Sequence, residues 1–317
     1  MAVPEHDAAP RSGTARALTV AAMIAFAANS LLSRAALGER AIDPVAFTML
    51  RLGSGAVVLA AIAALRRRAA PARPRHARAW ISAAALLLYA LPFSLAYVRV
   101  PAGAGALALF GAVQVTMIGW GLASGERPRP ATWIGLAGAV TGLAYLLWPG
   151  ERALDPIGMV AMLVAGAGWG VYSLLGRAPG DPVSRSASAF GAASILGSPL
   201  LLFGWSALWV SPRGALLAVL SGALASGLGY VAWYAALRGL SPSRAALVQL
   251  SVPVIAAAGG VALLGEPPRR GSWWPARSSS AASGWACARS ERPAGRERAL
   301  RSRSASTAHD GRARPEQ

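Results

Sequence analysis

The 317-residue sequence contains no lysine, one cysteine (Cys287) and three histidines. It has 13 acidic residues and 31 arginines. A single cysteine excludes a disulfide scaffold within the chain. Charged residues make up only 14% of the chain and hydrophobic residues 55%, whereas soluble domains carry about 25% charged residues. The composition is therefore not that of an ordinary soluble protein.

Enzyme motifs are also missing. The histidines, His6, His76 and His309, lie in hydrophilic parts of the chain, and there is no HExxH motif, Cys/His cluster or P-loop. Membrane metalloprotease, aspartyl protease and ATPase chemistry therefore lack the residues they need. We expect a protein that is not an enzyme, with no catalytic residue, no metal site and no cofactor.

Nine apolar stretches are long enough to cross a bilayer. A hydrocarbon core of about 30 Å needs roughly 20 apolar residues in a helix. Short segments between the stretches hold nearly all the charges before residue 268, a pattern typical of a polytopic helical membrane protein. The stretches are approximately residues 17–37, 45–65, 79–98, 102–123, 131–148, 156–176, 186–208, 214–237 and 243–264.

Arginines are concentrated on one side of the predicted membrane. The strongest block, six arginines within residues 66–78, lies between the second and third stretches. The positive-inside rule places this loop in the cytoplasm, and residues 1–15 are then a cytoplasmic N-terminal segment. Cleavage of the first stretch after Ala25-Phe26-Ala27, as a signal peptide, is the less favoured alternative.

These features predict a multi-pass protein of the cell inner membrane. Because the basic residues act mainly as a topology signal, we expect the partners to be the lipid bilayer and a small-molecule solute, and not nucleic acid. A homodimer is left open as an oligomeric state. Arg51 lies one to two turns into the second stretch, where its side chain is expected to reach the outer interface or to pair with Asp43.

Three short motifs occur twice in the same order, which predicts an internal repeat. Residues 30–35 (SLLSRA) return at 173–178 (SLLGRA), 43–45 (DPV) at 181–183, and 125–126 (GE) at 265–266, at offsets of 143, 138 and 140 residues. We therefore expect two repeats, residues 16–148 and 156–267. Because the first contains five spans, an odd number, the second is inverted across the membrane, as in many secondary transporters with a substrate site between the halves.

The second repeat ends early. After residues 265–266 the chain has no apolar run that could form a tenth span, and residues 268–317 are rich in Arg and Ser, a composition typical of disorder. A shifted reading frame near codons 265–270 is the favoured explanation, and a genuine basic tail is the alternative. The predicted fold is an all-α polytopic membrane protein, an inverted repeat of two five-helix units with nine spans present and the tenth missing.

Polar and aromatic residues in the middle of the spans form a candidate cavity. Each one either ties helices together or lines a wet cavity, since an unpaired polar group in hydrocarbon is costly. Their recurrence at mid-depth favours binding of a polar or zwitterionic solute. The candidates are Asn29, Ser30, Tyr89, Gln114, Trp169, Tyr172, Tyr230, Trp233, Tyr234 and Gln249.

We expect six of these candidates to approach one another between the halves: Asn29, Gln114, Trp169, Tyr172, Trp233 and Tyr234. The GxxxG pairs Gly138/Gly142 and Gly166/Gly170 permit close helix contact.

Over residues 16–267 the chain resembles the EamA type of the drug/metabolite transporter superfamily. The duplicated unit carries the resemblance, with residues 43–52, 99–106 and 240–246 and the two Gly-Glu pairs. It implies ten helices in two inverted halves and export or exchange of amino acids, related metabolites or drugs. We therefore expect a secondary transporter that exports small polar metabolites such as amino acids or drugs across the inner membrane. The alternative is a non-functional product of a frame-shifted gene.

Overall fold

The computed structural model describes residues 12–65, 76–127, 130, 133–138, 141, 154–177, 181–203, 208–237, 240 and 242–266. In these ranges regular structure is helical, apart from one antiparallel bridge between Ile42 and Val210. The all-α fold class is therefore confirmed. The predicted disordered tail, residues 268–317, lies outside the described residues.

The first repeat contributes four complete helices. They are α1 (Ser12–Gly38), α2 (Pro44–Leu65), α3 (His76–Tyr97) and α4 (Ala102–Ala123). Residues 133–138 are also helical and fall within the predicted fifth span.

The second repeat has the same order of helices, but its third and fourth spans are each interrupted. Its elements are α5 (Pro156–Leu175), α6 (Pro182–Phe203), α7 (Pro212–Leu220), a π-helical segment (Ser221–Leu228), α8 (Gly229–Leu237), α9 (Pro242–Gln249) and α10 (Ser251–Leu264). α7, the π-helical segment and α8 form one continuous span, Pro212–Leu237.

Seven helices in the described part of the chain are long and apolar enough to cross a membrane. α6 has 22 residues but does not belong to these seven, and the predicted fifth span is described only in part. The count of nine spans therefore stays a prediction. Large apolar side chains face outward, among them Val57 (69% exposed), Val160 (58%) and Ile195 (65%), which fits a lipid-facing surface.

The repeated sequence motifs mark the ends of equivalent helices. Asp43 Oδ1 accepts hydrogen bonds from the backbone N–H groups of Val45 (2.8 Å) and Ala46 (3.1 Å) at the start of α2. Asp181 Oδ2 accepts from Ser184 N (3.0 Å) at the start of α6. Each Asp thus pairs N–H groups that have no partner within the helix, and Pro at the first helical position needs no such partner.

Left-handed glycines follow the fourth helix of each repeat. Gly125 has a φ of 81° and Gly265 a φ of 64°. Glycine adopts this conformation without the steric cost that other residues meet, and it commonly ends a helix. The Gly-Glu repeat in the sequence is therefore a repeated helix stop.

The two repeats pack on each other with twofold pseudo-symmetry. α1 packs on α8 and α10 of the second repeat, and its equivalent, α5, packs on α3 and α4 of the first. Two further contacts join helices that are equivalent in the two repeats: α2 packs on α6, and α4 packs on α9 and α10. This pattern is the expected one for a duplicated, inverted unit, and it places the core between the repeats.

One end of the interface between the repeats is held by an ion pair. Glu266 accepts hydrogen bonds from Arg34 Nε (2.9 Å) and from Ala102 N at the start of α4 (3.1 and 3.0 Å). Arg34 also donates to the backbone oxygen of Tyr97 (2.8 Å). We call this group the Glu266 end.

The equivalent residues form a second, looser group, which we call the Glu126 end. Arg177 donates to the backbone oxygen of Leu240 (2.6 Å), as Arg34 does to Tyr97. Glu126 lies near Arg177, but its Oε2 has no hydrogen-bond partner. Burial lowers the pKa of Arg177, and the Glu126 carboxylate opposes that shift. The two equivalent ends therefore differ in how completely they are bonded.

Close packing between α5 and the first repeat depends on glycine. A Cβ at Gly166 would overlap the backbone oxygen of Leu109, and a Cβ at Gly170 would lie 2.8 Å from Thr116. The predicted close contact at this GxxxG pair is therefore confirmed. Gly138, by contrast, has no described residue within 4 Å of the position of an added Cβ, and Gly142 lies outside the described residues.

Gly166→Ala should destabilise the protein by about 1–3 kcal/mol, because α4 and α5 must move apart to accept the methyl group. Gly119→Ala is the matched control, since nothing lies within 4 Å of that position in α4; it should be neutral or slightly stabilising. Thermal unfolding of both variants in detergent tests this. Equal melting temperatures for the two variants would contradict the packing.

Candidate functional site

A small cavity lies in the core between the repeats. Five predicted residues line it: Asn29, Ser30, Tyr89, Trp169 and Tyr230. Its volume of about 10 Å³ is enough for about one water molecule. The cavity is therefore closed in this structure.

Aromatic rings form most of the cavity wall. Trp169 packs on Tyr230 with ring centroids 4.7 Å apart and on Tyr89 at 5.3 Å. Phe26 meets Trp169 edge-to-face at 5.2 Å. Such pairs stabilise the closed wall.

Phe26 and Trp169 are equivalent residues of the two repeats, since they are separated by the same 143 residues as the first repeated motif. Their direct contact places the cavity on the pseudo-twofold axis. Sequence reasoning overlooked Phe26 because it is apolar, yet its equivalence with Trp169 was readable. Phe93, Leu109 and Phe110 complete the wall; Phe93 lies one helical turn after Tyr89 on the same face of α3.

Hydrogen bonds connect the polar residues of the cavity. Asn29 Nδ2 donates to the Tyr89 hydroxyl (3.0 Å), and Ser221 Oγ donates to Asn29 Oδ1 (2.6 Å). Ser221 belongs to the π-helical segment, so this network joins both repeats. π-helical turns often occur at functional sites, because they redirect side chains within a span.

The two glutamines have structural partners beside the cavity. Gln249 Oε1 accepts a hydrogen bond from Trp169 Nε1 (2.8 Å), and so holds one ring of the wall. Gln114 donates to the backbone oxygen of Ala246 and ties α4 to α9. Neither residue lines the cavity, so tying helices together describes them better than solute contact.

The remaining candidates lie toward the Glu126 end. Tyr172 and Tyr234 line a second cavity of about 20 Å³ together with Gly176 and Arg185. Trp233 is fully buried against Phe26, with ring centroids 5.6 Å apart. Of the six residues expected to meet, Asn29 and Trp169 line the central cavity and Tyr172 and Tyr234 the second one. Trp233 packs on Phe26, and Gln114 ties two helices together.

Arg51 is placed differently from its prediction. Only 1% of the residue is exposed, and it neither reaches the membrane interface nor pairs with Asp43, which caps α2 instead. Its Nη2 donates to the Tyr89 hydroxyl (2.7 Å) and its Nε to Ser226 Oγ (3.1 Å). Arg51 lies on the face of α2 that packs against α3 and the π-helical segment, so its side chain points into the core.

The Arg51 guanidinium lies 4.9 Å from the ring centroids of both Tyr89 and Phe93. Arginine stays charged at any physiological pH, and an Arg at the bilayer centre costs about 2.5–3.5 kcal/mol on insertion scales. The contacts with the two aromatic rings each offset about 0.5–2 kcal/mol of this insertion cost. Arg51 Nη1 has no hydrogen-bond partner, so its hydrogen-bonding capacity is only partly used.

Residues 14–148 and 156–276 each match the EamA-like transporter family. The chain belongs to the EamA-like transporter family. This assignment confirms the resemblance to the drug/metabolite transporter superfamily and makes the chain a multi-pass membrane transporter. Members of the family are transporters and not enzymes. Among the residues described, no cluster of His, Cys, Asp and Glu could hold a metal ion.

Two relatives match most of this EamA-like transporter. It is 53% identical over 250 residues to the uncharacterized protein PA1977 of Pseudomonas aeruginosa, covering 79% of this chain and 86% of that one. It is 27% identical over 255 residues to the uncharacterized transporter YwfM of Bacillus subtilis, covering 75% and 82%. A solved structure with a TM-score of 0.63 and 21% identity, covering 82% of this chain and 91% of that one, shares the fold.

Tyr89→Phe should destabilise the EamA-like transporter by about 1–3 kcal/mol, because two buried donors, on Arg51 and Asn29, lose their acceptor. Tyr234→Phe is the matched control, since the Tyr234 hydroxyl makes one long bond of 3.4 Å to the Tyr172 oxygen; it should cost less than about 1 kcal/mol. Melting temperatures in detergent measure both. Equal losses would contradict a special role for the Tyr89 hydroxyl.

Proposed function

We propose that the chain is a secondary transporter that exports small polar metabolites, such as amino acids or drugs, across the inner membrane. The observation that carries the proposal is the cavity on the pseudo-twofold axis, where Asn29 and the Tyr89 hydroxyl stand among aromatic rings. Ring faces suit the apolar part of a solute, and the amide and hydroxyl suit its polar part.

The duplicated architecture supports alternating access. In an inverted repeat the two halves can rock against each other and expose a central site to either side of the membrane. The equivalent Glu266 and Glu126 ends then face opposite sides. Because both Glu266 oxygens accept hydrogen bonds and Glu126 Oε2 does not, the two repeats should separate first at the Glu126 end.

The proposed orientation is compatible with export. With residues 66–78 in the cytoplasm, the Glu126 end also faces the cytoplasm. The second cavity, with Tyr172 and Tyr234, lies at this end, and its Tyr172 ring lies 6.0 Å from the Tyr230 ring of the central cavity. A solute that enters from the cytoplasm and leaves past the Glu266 end is exported.

Transport is tested by reconstituting the full chain in liposomes and measuring uptake of a panel of amino acids, metabolites and drugs. Trp233→Ala should reduce the initial rate about tenfold or more, because the buried ring positions Phe26 in the cavity wall. Trp120→Ala is the control, since that ring is 59% exposed. Rates are normalised to the folded protein recovered by gel filtration.

Equal, small effects of the two tryptophan variants would contradict the proposed site. A version with the reading frame restored near codon 265 tests the alternative that this chain is a non-functional product. Transport by that version alone would support the alternative.

Orientation is tested with Ala72→Cys in a Cys287→Ser background, so that one thiol is present. If residues 66–78 are cytoplasmic, an impermeant thiol reagent should not label Ala72→Cys above the Cys-free background in intact cells. It should label the variant after the cells are permeabilised. Labelling in intact cells would reverse the orientation and, with it, the argument for export.

A further inference from the structure

We propose that the Arg51 guanidinium and the Tyr230 hydroxyl bind an oxyanion, the carboxylate of the transported solute, when the central cavity opens; in the closed cavity Arg51 does not line the wall but lies against its Tyr89 and Phe93 rings. The inference rests on the transport function proposed above and goes beyond it by assigning a charge to the solute. It identifies Arg51 and Tyr230 as residues that select for acids.

The first reason is the unbalanced charge. Arg51 is 1% exposed, and its Nη1 has no hydrogen-bond partner. No carboxylate in the described ranges pairs with it. The carboxylates described there lie at helix ends: Glu39, Asp43, Glu126, Asp155, Asp181 and Glu266. The positive charge therefore has no protein counter-ion in the core.

The second reason is that another polar group lies beside the guanidinium. The Tyr230 hydroxyl lies close to Arg51 and to Tyr89, but within the described residues it makes no hydrogen bond of good geometry. Tyr230 lines the central cavity, as do Tyr89 and Phe93, the two rings that flank the guanidinium. An oxyanion entering from the cavity would receive hydrogen bonds from Arg51 Nη1 and from Tyr230.

The third reason is that the fold does not need an arginine at this position. The repeat offset of 138 residues makes Ala189 of α6 the equivalent of Arg51 in α2. Ala189 is also buried, with 3% exposure, and α6 still packs on α2 and α3. A structural tie between helices can be made by neutral residues, whereas an unpaired buried charge is costly without a role in binding.

Carboxylate suits this site for geometric reasons. The planar guanidinium presents parallel N–H groups that match the two oxygens of a carboxylate. A carboxylate that enters an apolar core also loses its hydration, and pairing with Arg51 offsets that loss. An amide or amine of the same size would leave Arg51 without a counter-ion.

The test uses three small molecules with one skeleton: 3-phenylpropionate, 3-phenylpropionamide and 3-phenylpropylamine. Binding to the full wild-type chain in detergent is measured by calorimetry, and uptake is measured in liposomes. We expect the acid to bind at least about tenfold more tightly than the amide or the amine, because only the acid pairs with the guanidinium. An amide or amine that binds as tightly as the acid overturns the proposal.

Arg51→Gln should reduce the amide-to-acid ratio of dissociation constants from about ten or more to about one, and Arg51→Lys should retain part of the preference, since it keeps the charge but not the planar fork. Arg213→Gln is the control, because Arg213 forms an exposed pair with Glu39. An unchanged ratio in folded Arg51→Gln overturns the proposal. If that variant does not fold, the wild-type comparison of the three compounds decides.

The outcomes separate this inference from the proposed function. Transport of neutral or cationic solutes without preference for acids keeps the transport function and overturns the role of Arg51. Binding of none of the three compounds, with no uptake from the wider panel, overturns both.

Discussion

Hydrocarbon cannot replace water as a hydrogen-bond partner, and the rest of the structure depends on this constraint. Backbone groups pair within helices, and carboxylates stay at helix ends, where Asp43 and Asp181 accept hydrogen bonds from N–H groups that the helix leaves unpaired. Polar groups within the spans pair across helices, as Asn29 does with Tyr89. Arg51 departs from this pattern, as do Tyr230 and Trp233, because each keeps a buried polar atom that has no hydrogen-bond partner among the described residues.

Because the unit is duplicated, both repeats satisfy their polar groups with the same structural features. Capping aspartates, left-handed glycines and Arg–Glu groups recur at equivalent places, and helices of one repeat pack on helices of the other. The central contents are not duplicated. α2 carries Arg51 where α6 carries Ala189, and the π-helical segment occurs in the span equivalent to α3. A symmetric frame thus encloses an asymmetric cavity.

The candidate site was partly readable from the sequence. Mid-span polar and aromatic residues identified Asn29, Tyr89 and Trp169, because such residues in hydrocarbon must find partners in the core. The same reasoning also selected Gln114, which ties α4 to α9 instead, since an amide that lines a cavity and one that joins two helices have the same sequence signature. Phe26 was missed, although its equivalence to Trp169 through the repeat was available.

The sequence by itself determined the apolar helices, their caps and the repeat, because hydropathy and helix-end chemistry act over a few neighbouring residues. Tertiary structure alone decided which face of each helix meets the other repeat. That choice buried Arg51 in the core instead of leaving it at the interface, and it made Gly166, but not Gly138, a point of close contact. The rotation of a helix about its axis depends on side chains more than a hundred residues away in the chain, and no local pattern records it.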